Sequence, residues 1–126
     1  MPSNIPTPVI DLTAFVHSEE FALSRQFYAE LGFHTQWAEG NAAELRLGSF
    51  GFILQNFYVE QHAGNFMMHL MVENSDVWWQ HIETVGFREK YPGIVIKPPT
   101  LQPWGLRVLY LSDPSGVLWH IADRRS

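Results

Sequence analysis

The alternation of apolar and polar residues predicts a strand followed by a helix near the start of the chain. Residues 9–16 are rich in strand-forming residues. Ser18 then predicts a helix N-cap, and apolar residues recur at helical spacing over 21–31. Gly32 predicts the end of this helix in a left-handed cap. Three further strands are predicted at 34–38, 42–47 and 50–57, separated by glycine-containing turns.

The same order returns in the second half of the chain. Residues 66–72 predict a strand, Ser75 predicts an N-cap, and Gly86 predicts the end of the second helix. Strands are then predicted at 88–91, 106–111 and 117–122, the last two joined by the turn sequence DPSG. Each half therefore predicts the order β-α-β-β-β, and this repeat is the main organising feature of the sequence.

Length and composition are consistent with one folded unit. The chain has 126 residues, of which 46% are hydrophobic and 17% are charged, so it can bury a core. We predict a single domain over 1–126, with module one at about 9–58 and module two at about 66–123. Residues 61–65 are the predicted connector. Residues 91–103, which contain four prolines, are predicted to be an extended loop that forms either plain surface or a wall of a ligand site.

Charge and cysteine content narrow the classes of function. The chain carries 8 basic and 13 acidic residues, a net charge of −5, which argues against nucleic-acid binding and favours cationic or neutral small ligands. It has no cysteine, so disulfides and thiolate chemistry are excluded. No signal-peptide pattern and no apolar run of about 18 residues is present, so we expect no membrane partner and a cytoplasmic location.

Three segments resemble those of a known superfamily. Residues 24–33, SRQFYAELGF, resemble its first-helix pattern S-x-x-F-Y-x-x-L-G-F. Residues 113–121, DPSGVLWHI, resemble its terminal-strand pattern D-P-x-G with a later Glu or His, and residues 102–105, QPWG, are similar to a P-W-G segment upstream of it. The superfamily is the glyoxalase/bleomycin-resistance/extradiol dioxygenase group, also called vicinal oxygen chelate proteins. Among its members the chain looks most like the bleomycin-resistance-like proteins.

This resemblance implies a fold, an assembly and a set of site positions. The implied fold is α+β, with two βαβββ modules whose curved mixed sheets form a concave pocket. The implied assembly is a twofold homodimer. Metalloenzymes of the group take metal ligands from the first and last strand of each half, and those positions here are Thr13, Gln55, His69 and His120.

The chemistry of these four positions leaves two possibilities open. His69 and His120, with Gln55 as a third ligand, could hold a divalent metal such as Zn²⁺, Ni²⁺, Mn²⁺ or Fe²⁺. However, the glutamate usual on the final strand is replaced by His120, which removes a negative charge and an obvious general base. We therefore expect no cofactor, with a divalent metal as the alternative.

The aromatic residues indicate a ligand site of a different kind. We predict ligand contacts from Trp104, Phe52, Phe57, Arg107 and Gln55, because flat rings with a few polar groups suit a planar ligand. The leading hypothesis is a protein that sequesters an aromatic or cationic antibiotic-like molecule and so confers antibiotic resistance. The alternative is a metal-dependent lyase, isomerase or dioxygenase, and a third is a structural or regulatory dimer without a site. The sequence leaves open whether the protein is an enzyme.

Overall fold

The computed structural model describes residues 6–58 and 66–125, so the predicted connector at 61–65 lies outside the described residues. Along the chain the elements are β1 (Phe15–His17), α1 (Phe21–Leu31), β2 (His34–Glu39), β3 (Ala42–Leu47), β4 (Phe50–Gln55), β5 (Met67–Met71), α2 (Ser75–Val85), α3 (Phe87–Lys90), β6 (Ile96–Leu101), β7 (Arg107–Ser112) and β8 (Leu118–Asp123). Among the described residues, no helix is long and apolar enough to cross a membrane.

The strands form two four-stranded mixed sheets that repeat one topology. The first sheet has the order β1-β4-β3-β2 and the second has the order β5-β8-β7-β6. In each sheet the first strand runs parallel to the last, and the other neighbours are antiparallel. The predicted α+β fold with two βαβββ halves is therefore confirmed.

The N-terminal segment is less regular than predicted. Only Phe15–His17 of this region pairs with β4, although residues 9–16 were all predicted to form a strand. Residues 6–12 are exposed and form no strand, and Ile10 is 97% exposed. Strand formers alone do not make a strand, because a strand also needs a neighbouring backbone to complete its hydrogen bonds.

The proline-rich segment forms a strand where a loop was predicted. Residues 88–91, predicted as a strand, belong mostly to the short helix α3, and β6 takes the outer position in the second sheet. The pairing of β6 with β7 is interrupted between Lys97 and Thr100, where Pro98 and Pro99 lie. Proline has no N–H to donate, so an edge strand with an interrupted register is where a sheet accepts it.

The helix starts also differ from the predicted caps. Ser18 does not cap α1; its hydroxyl donates to the backbone oxygen of Gln55 at 2.7 Å. The cap of α2 is Asn74 rather than Ser75, and its side chain accepts from the backbone N–H of Asp76 and Val77. Both helices lie one or two residues from their predicted starts, which leaves the predicted order of elements intact.

A buried hydrogen-bonded group joins the two halves of the molecule. Tyr28 of α1 donates its hydroxyl proton to Asp113 at 2.6 Å, and the indole N–H of Trp119 donates to the Tyr28 oxygen at 3.0 Å. Burial raises the pKa of Asp113, and burial together with the nearby Asp113 charge raises the pKa of Tyr28 well above its ordinary value. The F-Y and D-P-x-G segments therefore have a structural role here, because they fix the first helix to the last strand.

Each sheet has one face that packs against the helices and one face turned away from them. The packed face of the first sheet carries buried Val16, Ala43, Leu45, Phe52 and Leu54. The packed face of the second sheet carries Leu109, Leu111, Trp119 and Ile121, with Met68 and Leu70 packed beside them. Since side chains alternate between faces along a strand, the residues between these positions lie on the other side. We call the side turned away from the helices the open face.

Candidate functional site

The open face of the second sheet carries a row of four neighbouring polar side chains. His69 on β5 is paired with His120 on β8, His120 with Tyr110 on β7, and Tyr110 with Lys97 on β6. The imidazole centroids of His69 and His120 are 6.4 Å apart, and the rings of Tyr110 and His120 meet edge to face at 4.8 Å. We call these four residues the second row.

The second row lacks negative charge. Asp123 is the one carboxylate in the four strands of this sheet, and its alternation with Trp119 and Ile121 places it on the packed face. There it accepts the backbone N–H of Ser75 at 2.6 Å. Burial alone would raise the pKa of Asp123, but hydrogen bonds from Ser75 and Arg125 lower it to about 2. The carboxylate of Asp123 is therefore already bonded to the start of α2.

His120 is a partly buried member of the second row. Its Nε2 atom is buried and has no hydrogen-bond partner among the described residues. Burial lowers the pKa of His120, and the neighbouring His69 lowers it further. The imidazole of His120 is therefore harder to protonate than a solvated histidine, and its Nε2 atom is left without a partner by the described part of the chain.

The open face of the first sheet carries the corresponding row with different chemistry. Phe15 is paired with Ile53, Ile53 with Glu44, and Glu44 with Trp37. Phe15 is 58% exposed and Trp37 is also exposed. Glu44 lies 3.1 Å from the guanidinium of Arg46. We call Phe15, Ile53, Glu44 and Trp37 the first row.

Helix length and strand register fix which residues correspond between the halves. Both α1 and α2 have 11 residues, and the residue six places before each helix is Phe15 in the first half and His69 in the second. Their parallel partners are Ile53 and His120. The predicted correspondence of Thr13 with His69 and of Gln55 with His120 is therefore wrong by two residues in each strand.

Thr13 and Gln55 do not occupy the positions of the first sheet that correspond to His69 and His120. The Thr13 hydroxyl, in the segment before β1, donates to the Asp11 carboxylate at 3.1 Å. Gln55 is paired with His17 at the end of β4.

The donor set does not fit the metal of the enzymes in this fold group. Two imidazoles are adjacent, but the corresponding positions in the first half are Phe15 and Ile53, which have no donor atoms. Within residues 6–58 and 66–125, no three or more His, Cys, Asp or Glu side chains are grouped so that they could hold a metal ion. Gln55, the predicted third ligand, has only an uncharged amide to offer. An amide oxygen would add little metal affinity to that of the two imidazoles.

The structure does not bring the predicted ligand residues together. Trp104 lies at the tip of the β6–β7 hairpin and is 61% exposed, and Phe57 is exposed beyond the end of β4. Phe52 is buried in the shared core on the packed face. Arg107 is also on the packed face, where its guanidinium lies 3.2 Å from Asp76 of α2. Trp104 thus stands at the rim of the second sheet, and Arg107 points away from the open face.

An apolar cleft of about 350 Å³ runs beside β5, next to the second row. Its lining comes mainly from the β3–β4 hairpin and β5, with Phe33 before β2 and Trp119 of β8: Phe33, Leu47, Phe50, Gly51, Phe52, Met68, His69, Leu70, Met71 and Trp119. Phe52, predicted to contact ligand, contributes to this lining despite its burial. His69 belongs to both the cleft and the second row, so the two features form one continuous surface.

Six members of the two rows were not predicted as site residues from the sequence: Phe15, Ile53, Glu44 and Trp37 of the first row and Tyr110 and Lys97 of the second. Tyr110 could have been found, because it alternates with Leu109 and Leu111 as His120 alternates with Trp119 and Ile121. Lys97 could not, because its strand contains two prolines and reads as a loop.

Comparisons with known proteins agree with this architecture. The sequence matches the Glyoxalase/Bleomycin resistance protein/Dioxygenase superfamily over residues 13–121. No curated protein matches the sequence. The chain therefore belongs to the glyoxalase/bleomycin resistance/dioxygenase superfamily.

Solved structures show the same fold at low sequence identity. A bleomycin resistance determinant encoded on the transposon Tn5 is 23% identical, with a TM-score of 0.80 over 94% of this chain and 100% of that one. A bleomycin-binding protein complexed with bleomycin is 24% identical, with a TM-score of 0.79 over 93% of this chain and 100% of that one. A lactoylglutathione lyase from Agrobacterium tumefaciens is 13% identical, with a TM-score of 0.67 over 93% and 95% of the two chains. The fold is thus shared by a binding protein and an enzyme, and it does not separate the two functions.

Proposed function

We propose that this protein binds a small molecule and sequesters an aromatic or cationic antibiotic-like ligand on its open faces. The observation that carries the proposal is the exposed aromatic surface on these faces, with Trp37 and Phe15 on the first sheet and Trp104 at the rim of the second. Flat exposed rings stack on planar or cationic ligands. The likeness in fold to a bleomycin-binding protein supports the same proposal.

The proposal includes a homodimer. Met67 and Leu101 of the strands are each more than half exposed, and so is Ile10 of the N-terminal segment. This much apolar surface is best covered by a second copy related by a twofold axis. Light scattering over a dilution series should give twice the monomer mass of 14.5 kDa. A monomer mass that persists at high micromolar concentration would count against the dimer.

Calorimetric titration with bleomycin tests the binding function. We expect saturable binding that Trp37→Ala and Trp104→Ala each weaken by about 0.5–2 kcal/mol through the loss of stacking. The matched control is Val77→Ala, because Val77 is 56% exposed on α2, away from both open faces. Equal weakening by all three substitutions would place the ligand elsewhere, and no binding of bleomycin would remove the antibiotic-like class as proposed.

One observation favours the alternative, a divalent-metal lyase, isomerase or dioxygenase. The adjacent imidazoles of His69 and His120 and the unpartnered Nε2 of His120 are a partial donor set. Elemental analysis of untagged protein for Zn, Ni, Mn and Fe separates the two functions. Metal at one equivalent per chain that His120→Ala abolishes would favour the enzyme, whereas metal-free protein that binds bleomycin would favour sequestration.

A further inference from the structure

Resting on that proposed function, we propose that the second row recognises an oxyanion of the ligand, either a carboxylate or a phosphonate-type group. Lys97 and Tyr110 are its specificity-determining residues. Of the aromatic and cationic ligands in the proposed function, this inference keeps the aromatic class and adds an acidic group to it.

The position of Lys97 follows from the packing of its neighbour. Ile96 packs against the core and is paired with the buried Leu111, so the next residue along β6 lies on the open face. Lys97 is paired with Tyr110 across the strands and is exposed, and it forms no ion pair with the described residues. Its ammonium group is therefore available to a ligand on this face.

The rest of the second row adds hydrogen-bond donors without adding negative charge. Tyr110 has a hydroxyl proton, and the imidazole rings of His69 and His120 each have at least one N–H in either protonation state. The one carboxylate in the strands of this sheet, Asp123, is on the packed face and already bonded to Ser75. An oxyanion over this row would meet a cation and several donors, whereas a cation would meet Lys97 and no compensating acid.

The chain contains its own control for the lysine. Lys90 and Lys97 are the two lysines of the sequence. Lys90 lies at the end of α3, where its ammonium donates to the Glu30 carboxylate at 2.8 Å. Replacing Lys90 by glutamine removes the same charge from the molecule without touching the open face.

The test uses four small aromatic probes at pH 8: phenylphosphonate, phenylacetate, benzylammonium and benzyl alcohol. Binding is followed through the aromatic ring NMR signals of His69, His120 and Tyr110, so that a probe bound elsewhere is not counted. The titrations are made on the full chain and on Lys97→Gln, Tyr110→Phe and Lys90→Gln. Comparing the two oxyanions distinguishes a carboxylate site from a phosphonate-type site.

We expect the oxyanions to shift these rings at lower concentration than benzylammonium or benzyl alcohol. Lys97→Gln should weaken oxyanion binding by about three- to tenfold, the range between an exposed ion pair and a charge-assisted hydrogen bond. Tyr110→Phe should weaken it by less, and Lys90→Gln should leave it unchanged.

Stronger ring shifts with benzylammonium, or oxyanion binding unaltered by Lys97→Gln, would overturn this inference while the binding function stood. If no probe perturbs these rings although bleomycin binds, the oxyanion site is also wrong. Failure of bleomycin and of all four probes to bind would instead overturn the proposed function.

Discussion

The two open faces have the same backbone arrangement and opposite chemistry. In the first row, Phe15 and Ile53 are apolar and Glu44 carries a negative charge. In the second row, the corresponding places hold His69, His120 and Tyr110, with Lys97 beside them. The packed faces, by contrast, are similarly apolar in both halves. The two halves are therefore alike on their packed faces, which form the core, and different on their open faces.

This difference indicates which face can vary without loss of the fold. A packed-face residue is constrained by the core shared between the halves, whereas an exposed open-face residue such as Lys97 is not. The acidic net charge of the chain is a poor guide to the second row for the same reason, because most of the acids lie elsewhere. The local charge of one face decides which ligand binds there. The sign of that local charge can be opposite to the sign of the protein's net charge.

The largest difference is expected between two adjacent residues of β8. Trp119 is buried on the packed face and His120 lies on the open face. Trp119→Ala should lower the free energy of unfolding by about 3–5 kcal/mol because it empties a core position. His120→Ala should lower it by much less, about 1 kcal/mol, because the His120 side chain is only partly buried. Urea unfolding of both variants measures this, and equal losses would remove the distinction between the faces.

A smaller effect is expected from the buried group that joins the halves. Tyr28→Phe keeps the ring but removes the hydrogen bonds to Asp113 and Trp119. Leaving the buried Asp113 carboxylate without this donor should cost about 1–3 kcal/mol of unfolding free energy. Thermal and urea unfolding are the measurements. An unchanged stability would show that the F-Y and D-P-x-G segments serve another purpose.

A charge reversal would make the two open faces more alike. Lys97→Glu gives the second row the sign of the first, so phenylphosphonate binding should fall by at least about tenfold. Because Lys97 is exposed, the unfolding free energy should change by no more than about 0.5 kcal/mol. Titration and urea unfolding of the same sample separate these effects. A large loss of stability would mean that Lys97 has a structural role.

The smallest effect concerns pH. Burial, and then the neighbouring His69, lower the pKa of His120 below its ordinary value of 6.5. On acidification, His120 is therefore protonated in the unfolded chain before it is protonated in the folded one. Its contribution to the unfolding free energy is fully present above pH 6.5 and is lost as the pH falls below that value. Between pH 7.5 and pH 5.5, the unfolding free energy measured with urea should fall more for the wild type than for His120→Gln. The reverse order would place His120 beside a carboxylate.

Local patterns predicted the elements whose partners are close in sequence. The helix ending at Gly32 and the β2–β3–β4 meander were found because helical spacing and short turns fix them within a few residues. The strand at 9–16 was overpredicted because pairing, not propensity, ends it at Phe15. The strand β6 was missed because its prolines are tolerated only at a sheet edge, which sequence alone does not reveal.

The sequence predicted the two histidines of the second sheet, but it assigned their counterparts in the first sheet to residues two places away. His69 and His120, both named from the sequence, lie side by side on neighbouring strands of the second sheet. The first half failed because Thr13 and Gln55 were matched by counting residues, whereas the parallel register pairs Phe15 with Ile53. Register between strands that are 38 residues apart depends on tertiary packing, so a single sequence does not fix it to within one or two residues.

The five tryptophans provide the most direct test that the open faces carry the ligand. Trp37 and Trp104 are exposed on or beside these faces, whereas Trp78 and Trp79 lie on α2 and Trp119 is buried in the core. Bleomycin titrated into ¹⁵N-labelled protein can be followed at every indole N–H signal. We predict saturable shifts at Trp37 and Trp104 and much smaller changes at the other three. Shifts confined to Trp78 and Trp79, or no shift at any indole, would contradict the account.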